Sequence, residues 1–176
     1  MRALITAEFD PTFLDRLSQQ MEVRRAGWGI TGRALPPDEL IRELQGTEIL
    51  IAEIETVNAQ VIHSCPELRF IAVCRNNPVN VDAAAARQRG IPVVYTPGRN
   101  AQAVAEFTVC LMLMAARHIG RALRDVWAGR WTFGPVESYL NYKGYELAGR
   151  CVGSIGLGNI GRRVLKLCDA FGMVAC

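Results

Sequence analysis

Apolar and polar positions alternate along residues 1–100 in a way that is typical of strands and helices following one another. Short apolar runs predict strands at residues 3–7, 22–25, 48–54, 70–74 and 91–95. Apolar residues at helical spacing predict helices at residues 11–20, 36–44, 58–64 and 82–88, while the glycine-rich residues 27–32 predict a loop. Asp10 is expected to cap the first helix, with Pro11 at its first position. This alternation predicts an α/β fold with a parallel sheet that helices cover on both faces.

Residues 101–119 form the most hydrophobic stretch of the chain. We expect a helix there that begins after Asn100 as its cap and is buried between two protein layers. Glu106 and Arg117 leave fewer uncharged residues than the ~18 that a membrane span needs, so no membrane segment is predicted. The aromatic-rich residues 120–149 show no clear periodicity and predict a long connection that is functional or forms an interface. A loop packed on its own domain is the alternative.

A glycine turn near the end of the sequence carries the most specific chemical signal. Residues 151–155 predict a buried strand, the pattern G-x-G-x-x-G follows, and apolar positions at helical spacing then continue to Gly172. Such glycines allow a tight reversal, a close approach of the backbone to a pyrophosphate, and close packing of helix on strand. The residues predicted to bind the dinucleotide are Gly156, Gly158, Asn159, Ile160 and Gly161. A purely structural glycine turn is the alternative.

The acidic residue that would confirm the dinucleotide site has no counterpart in the sequence. It is expected ~20 residues beyond the glycine turn, at the end of the next strand, where it holds the ribose hydroxyls. That position falls just past Cys176, after residues 173–176 have begun a second apolar strand. The residues therefore leave NAD and NADP both open, and we expect the chain to be the front part of a protein of roughly twice its length.

Composition excludes several classes of protein. Of 176 residues 50% are hydrophobic and 21% charged, and the net charge of +3 is too small to indicate a nucleic acid or an anionic membrane as partner. Six cysteines lie in apolar runs without a C-x-x-C pair, which predicts buried free thiols in a reducing compartment. No signal peptide precedes Glu8 and Asp10, so a cytoplasmic location is expected. His63 and His118 share no metal-ligand spacing, and no metal site is predicted.

The order and spacing of several motifs resemble the D-isomer-specific 2-hydroxyacid dehydrogenases, and among them the D-3-phosphoglycerate dehydrogenase-like branch. The resemblance runs through residues 79–82 (Val-Asn-Val-Asp), 89–97, 100–106, the long helix, Trp131, residues 146–149 and the glycine turn. It implies that residues 1–100 form a flavodoxin-like substrate-binding domain. Residues 101–176 would then contain the interdomain helix, a connecting arm and the first part of a Rossmann NAD-binding domain.

The resemblance also implies an activity. It is the NAD-dependent oxidation of the CH–OH group of a small D-2-hydroxy acid, with 3-phosphoglycerate or a related acid among the candidates, by a homodimer. The loop before residues 80–82 would bind the substrate carboxylate through Arg75, Asn76 and Asn77, and Asn100 would lie near substrate and nicotinamide. This loop is about two residues shorter than is usual in the family and carries asparagine where small glycines are usual, so the identity of the acid stays open.

The catalytic Arg, Glu and His of that family have no match in the chain and are expected beyond Cys176. Residues 1–176 alone are therefore predicted to be inactive, and His63 and His118 are interpreted as structural residues of helical segments. Two alternatives stay open. One is a non-catalytic, NAD-binding interaction protein on the same fold, and the other is an inactive truncated fragment.

Overall fold

The computed structural model describes residues 1–131 and 134–176 and divides the chain into two compact units, Met1–Arg99 and Asn100–Cys176. Each unit has its own cluster of buried side chains. The functions assigned above to the two parts of the chain stay predictions.

The first unit is a five-stranded parallel sheet with helical crossovers. Its strands are β1 (Arg2–Ile5), β2 (Glu22–Arg25), β3 (Ile49–Ala52), β4 (Phe70–Val73) and β5 (Val93–Tyr95). Its helices are α1 (Pro11–Ser18), α2 (Trp28–Thr31), α3 (Pro37–Glu43), α4 (Ala59–Ser64) and α5 (Ala83–Gln88). The strand order β2-β1-β3-β4-β5 is the flavodoxin-like order, which confirms the predicted fold class.

Buried aliphatic side chains hold this sheet between its helices. In β3 and β4 the pattern of burial alternates, and Leu50 lies opposite Ile71 in the parallel register. The helices contribute leucines and valines such as Leu40 and Val61 to the same cluster. Because parallel strands carry helices on their faces, their apolar residues need not be confined to one side, as the run Ile49–Ala52 shows.

Side-chain caps start three of these helices. The carboxylate of Asp10 accepts a hydrogen bond from the Thr12 amide at 2.8 Å, which confirms the predicted cap of α1. Asn58 accepts from the Val61 amide at 3.0 Å, and Asp82 accepts from the Ala84 amide at 3.0 Å. The sequence analysis placed both of these residues inside their helices, so that each predicted helix began one position too early.

The predicted loop at residues 27–32 contains the short helix α2 instead. Gly27 and Gly32 flank it with φ angles of 68° and 70°, a backbone region that other residues rarely adopt. Strand β5 is also shorter than predicted. It begins at Val93 because Pro92 has no N–H to donate to the ladder.

The second unit consists of α6 (Ala101–Ala116), α7 (Ile119–Trp127), α8 (Pro135–Tyr142), β6 (Cys151–Val152), α9 (Asn159–Ala170) and β7 (Val174–Ala175). The prediction of one helix over residues 101–119 was wrong at its end, because His118, with φ of 52°, separates α6 from α7. The prediction of an irregular connection at 120–149 was also wrong. Ile119, Leu123 and Val126 have the spacing of one helical face, a signal that the aromatic residues obscured.

Helix α6 packs on α9 through an apolar cluster. Its buried members are Val109, Cys168 and Met173, with Met112 and Val164 packed against them. The opposite face is open within the part of the chain that the structure describes, where Phe107 is 63% exposed. The expected burial between two layers is therefore not found on that face. No single helix among the described residues is long and apolar enough to cross a membrane, although α6 and α7, bent by 70°, meet the length and composition criteria together.

The six cysteines do not share one environment, contrary to the prediction. Cys65 and Cys168 are buried thiols, but Cys74 is half-buried and Cys110 is exposed. Cys151 and Cys176 lie side by side, with their Cα atoms 6.1 Å apart. The physical reason is the pairing of β6 with β7, which brings residues 25 positions apart onto neighbouring parallel strands.

A buried carboxyl group connects three segments of the first unit. Glu55 is fully buried beyond the end of β3 and accepts hydrogen bonds from the Thr6 hydroxyl at 2.7 Å and from the Trp28 amide at 3.2 Å. Thr6 follows β1, and Trp28 is the first residue of α2. Buried polar groups are retained only when they are hydrogen-bonded, so Glu55 holds α2 against the sheet.

We predict that Glu55→Ala destabilises the first unit. The substitution leaves the Thr6 hydroxyl and the Trp28 amide without their acceptor, and each unsatisfied buried group costs about 1–3 kcal/mol. We expect the free energy of unfolding, measured by urea denaturation of the full-length protein, to fall by roughly 2–4 kcal/mol. In the control Glu39→Ala, which breaks only the surface ion pair with Arg33, the loss should stay below about 1 kcal/mol. Equal losses in both variants would contradict the role given to Glu55.

Candidate functional site

Three loops of the first unit meet at the carboxyl edge of its sheet. Glu53 follows β3, the Arg75–Asn77 segment follows β4, and Arg99 lies four residues beyond the end of β5. In a parallel sheet all strands end at the same edge, and ligands bind there in open α/β folds. This edge is therefore the candidate acid-binding site of the unit.

The loop after β4 is held by bonds to the loop after β5. The Asn76 side-chain oxygen accepts from the Gly98 amide at 2.9 Å, and the Arg75 carbonyl accepts from the Thr96 amide at 3.0 Å. Asn76 and Asn77 are exposed, and the half-buried Arg75 has no carboxylate within ion-pair distance among the described residues. Three of the four predicted substrate-binding residues, Arg75, Asn76 and Asn77, therefore lie on one loop at this edge. The Arg75 guanidinium there is not in an ion pair with a described acidic side chain.

Sequence reasoning missed an ion pair at the same edge. Arg99 donates to the Glu53 carboxylate at 2.7 Å, across 46 residues of sequence. Gly98, with φ of 80°, gives the tight turn that leads into Arg99. The sequence analysis had placed Glu53 inside the predicted strand 48–54, whereas β3 ends at Ala52 and leaves Glu53 just beyond the carboxyl edge.

Asn80 anchors the loop after β4 to the end of β3. Its amide nitrogen donates to the Glu55 carbonyl at 2.8 Å and to the Glu53 carbonyl at 3.4 Å. Its buried side-chain oxygen has no hydrogen-bond partner within residues 1–131 and 134–176. The Asn80 carbonyl in turn accepts from the Val57 amide at 2.8 Å. Asn80 is thus a positioning residue for the edge, which the sequence analysis used only as a family motif.

Asn100, the fourth predicted substrate-binding residue, is the first residue of the second unit. It occupies the N-cap position of α6, as predicted, but its side chain makes no capping hydrogen bond. The exposed amide is therefore available for other contacts, while its proposed place near a substrate stays a prediction.

The glycine turn joins β6 to α9 as predicted, although the strand is shorter. Only Cys151 and Val152 pair with β7, so residues 153–155 lie outside the ladder. Gly156 has φ of 102°, which favours glycine. Gly161 lies so close to the Gly156 carbonyl oxygen that a Cβ there would overlap with it. The Ser154 hydroxyl donates to the same carbonyl at 2.8 Å and holds the turn closed.

The N-terminus of α9 is open where a phosphate would approach. Gly158 is its N-cap and has no side chain to bond the first amides, so those of Asn159 and Ile160 lack an intrahelical acceptor. A Cβ added to Gly158 would meet no described atom within 4 Å. Free amides, the helix dipole and open space together make a site that suits a phosphate group.

Known proteins resemble this chain over most of its length. The sequence pattern of the family described as D-isomer specific 2-hydroxyacid dehydrogenase, catalytic domain, matches residues 3–171. The chain belongs to the D-isomer-specific 2-hydroxyacid dehydrogenase family. This confirms the resemblance drawn from the motifs.

Individual relatives support the family assignment and show how much of each related protein the chain covers. The chain is 42% identical over 174 residues to YoaD of Bacillus subtilis, which is named as a 2-hydroxyacid dehydrogenase, covering 97% of this chain and 51% of the relative. It is 36% identical over 161 residues to the hydroxypyruvate reductase of Thermotoga maritima, covering 91% and 51%. A crystal structure from Polaromonas sp. JS6 66, titled as an NAD-binding member of the family, has a TM-score of 0.87 at 30% identity and covers 99% and 53%. The chain thus spans about half the length of the relatives it matches.

Neither histidine stands where the sequence analysis could give it a catalytic role, and His63 lies at the edge of its sheet opposite the predicted acid site. His63 is in the last turn of α4, which leads toward the amino end of β4, the edge opposite Arg75. His118 is exposed between α6 and α7 rather than inside a helix as predicted. In the described part of the chain no three His, Cys, Asp or Glu side chains are placed to hold a metal ion. Burial raises the pKa of the Cys74 thiol beside the edge, which disfavours its reactive thiolate.

The arm of the second unit carries an aromatic cluster. The rings of Trp131 and Tyr142 stack with centroids 4.8 Å apart, and the Tyr142 hydroxyl donates to Asp125 at 2.7 Å. That hydrogen bond lowers the pKa of Asp125, with the Arg130 guanidinium adding to the effect. Trp131 stays 46% exposed and Trp127 78% exposed. Thr132 and Phe133 of the predicted arm lie outside the described residues.

We predict that Gly161→Ala destabilises the second unit while Gly158→Ala does not. The new methyl group at 161 would overlap with the Gly156 carbonyl, a backbone atom that cannot rotate away, and such overpacking costs about 1–3 kcal/mol. The methyl group at 158 meets open space at an ordinary φ of −73°, so its effect should be within about 0.5 kcal/mol. Urea denaturation of both full-length variants checks this. Equal stability of the two would mean that the turn does not need a glycine at 161.

Proposed function

We propose that the protein is a nicotinamide-dependent oxidoreductase, with NAD as its cofactor, that acts on the CH–OH group of a small D-2-hydroxy acid. The glycine turn carries this proposal, since its open space at Gly158 and its free amides suit a dinucleotide. Family membership and relatives named as a 2-hydroxyacid dehydrogenase and a hydroxypyruvate reductase support the substrate class.

The residues of the turn would hold the dinucleotide by its phosphates. The amides of Asn159 and Ile160 would donate to them, the missing side chains of Gly156 and Gly158 would leave room, and Gly161 would keep the helix close to the turn. When bound, the nicotinamide supplies the chemistry of hydride transfer. The choice of NAD over NADP rests on the family resemblance.

The loop after β4 would bind the acid. The Arg75 guanidinium can pair with a carboxylate through two hydrogen bonds, and Asn76 is fixed by its bond from the Gly98 amide. Asn77 lies next to them on the same exposed loop, and Asn100 is proposed to contact substrate in the assembled enzyme. These residues orient the acid, and none of them exchanges a proton with it.

We propose that the catalytic Arg, Glu and His lie outside residues 1–176 and that these residues alone are inactive. Relatives about twice as long support this, as does the position of His63 away from the carboxyl edge. A homodimer is also proposed, because the arm exposes Trp127, Trp131 and Tyr139, aromatic residues of the kind that protein interfaces favour.

We predict that Gly158→Val abolishes NADH binding by the full-length protein. A Cβ at this position meets no described atom within 4 Å, and the branched side chain would fill the open space where the dinucleotide is proposed to bind. Fluorescence titration should show at least a tenfold weaker affinity, with the unfolding midpoint almost unchanged. The control Gly120→Val adds the same side chain at an exposed, open position of α7 and should bind NADH normally. Normal NADH affinity in Gly158→Val would reject the site.

We predict that Arg75→Ala raises the KM for a 2-keto acid such as hydroxypyruvate and leaves NADH affinity unchanged. Loss of a hydrogen bond to a charged group costs about 1.5–3 kcal/mol, which corresponds to a roughly 10–100-fold increase. Steady-state kinetics of the full-length protein measure both parameters. Arg69→Ala is the matched control, because Arg69 lies at the amino end of the same strand and is exposed. If KM and NADH affinity change together, the loop has a structural role only.

A further inference from the structure

The ion pair at the carboxyl edge bears on which acids can bind there. Glu53 is half-buried with its side chain 18% exposed, whereas the Arg99 side chain is 53% exposed. The two groups are 2.7 Å apart, so the Arg99 guanidinium is committed to a carboxylate of the protein itself. Asn80 fixes the backbone carbonyl of Glu53, which keeps this carboxylate at the edge.

Because Arg99 is paired with Glu53, the net positive charge near the acid-binding loop is small. Arg75 and Arg99 contribute two positive charges next to the loop after β4, and Glu53 cancels one of them. Glu8, just beyond β1, places another exposed carboxylate at the same edge. Within the described residues of the first unit, this leaves one arginine, Arg75, that is not already paired at the acid-binding loop. One unpaired guanidinium matches a substrate with a single negative charge.

We propose that Glu53 determines specificity for 2-keto and 2-hydroxy acids with a single negative charge. Glu53 would weaken the binding of acids that carry a second anionic group, such as a phosphoryl ester. It would do so because its ion pair engages the Arg99 guanidinium and because its own negative charge repels the second group. The inference rests on the proposed function and narrows its substrate class to unphosphorylated monocarboxylic acids.

The physical reason is that nearby cations favour binding of a phosphoryl group and a nearby carboxylate disfavours it. A phosphate ester carries about −1.5 to −2 charges at neutral pH, and among side chains it is bound best by arginine or lysine donors. To recruit Arg99, such a ligand would have to displace Glu53 and leave that half-buried carboxylate unpaired. Like charges at a partly desolvated edge repel strongly, since the effective dielectric constant there is well below that of water.

The first test compares two substrates that differ only in the phosphoryl group. The full-length protein is assayed with hydroxypyruvate and with 3-phosphohydroxypyruvate, following oxidation of NADH or NADPH at low ionic strength. We expect kcat/KM to be at least tenfold higher for hydroxypyruvate. Because the discrimination is electrostatic, the ratio should decrease as salt is added.

The second test changes the carboxylate. In Glu53→Gln the neutral amide releases Arg99, and the kcat/KM ratio should shift at least tenfold toward the phosphorylated acid. The double variant Glu53→Gln/Arg99→Ala should lose this gain, because no second guanidinium remains. Glu48→Gln is the matched control. Glu48 also lies near an arginine, at 4.0 Å from Arg69, and it immediately precedes β3. Because this position is at the amino edge of the sheet, Glu48→Gln should leave the kcat/KM ratio unchanged.

The outcomes separate this inference from the proposed function. If neither acid nor any other 2-keto acid oxidises the nicotinamide, the proposed function fails and the inference fails with it. If kcat/KM of the native protein is equal for the phosphorylated acid and for hydroxypyruvate, only the inference is overturned. An unchanged ratio in a folded Glu53→Gln protein also overturns it. Should that variant not fold, the comparison of substrates and its salt dependence in the native protein still decide.

Discussion

The parallel hydrogen-bond ladder is the constraint on which the first unit depends. A chain that pairs its strands in parallel must return to the starting edge after each strand, and the crossover helices do this. All five carboxyl ends therefore lie at one edge, and residues far apart in sequence become neighbours. Glu53 and Arg99 meet across 46 residues for this reason.

Polar groups beneath this edge hold its loops in place. Glu55 connects the ends of β1 and β3 to α2, and Asn80 connects the loop after β4 to two carbonyl groups beyond β3. These hydrogen bonds are largely withdrawn from water, where an unmade bond is costly. The half-buried Arg75 and the exposed Asn76 can therefore have defined positions although they lie on a loop. The hydrogen bonds of Glu55 and Asn80 thus support the loops of the candidate acid-binding edge.

The two candidate sites use different parts of the chain to attract negative charge. The acid-binding edge uses side chains, and a change of one side chain alters its charge, as the Glu53–Arg99 pair illustrates. The glycine turn uses backbone amides at the start of α9, where the absence of side chains matters most. A backbone site suits a cofactor shared by many relatives, whereas a side-chain site can change with the substrate. This difference explains why the glycine motif makes a more specific prediction than the loop after β4 does.

The sequence by itself determined the alternation of elements, the caps such as Asp10, the glycine turn and the family, because these depend on local periodicity and on residues close together in the chain. It also predicted an acid-binding loop from a motif, and that role stays a proposal. Tertiary structure alone decided the Glu53–Arg99 pair, the bonds of Asn80, the burial of Glu55 and the proximity of Cys151 to Cys176. Helix α7 was missed because residues 120–149 were interpreted together as one aromatic-rich connection, although Ile119, Leu123 and Val126 have helical spacing. Each of the tertiary contacts joins distant segments, and the partner of a side chain at a sheet edge is set by strand order, which local patterns do not encode.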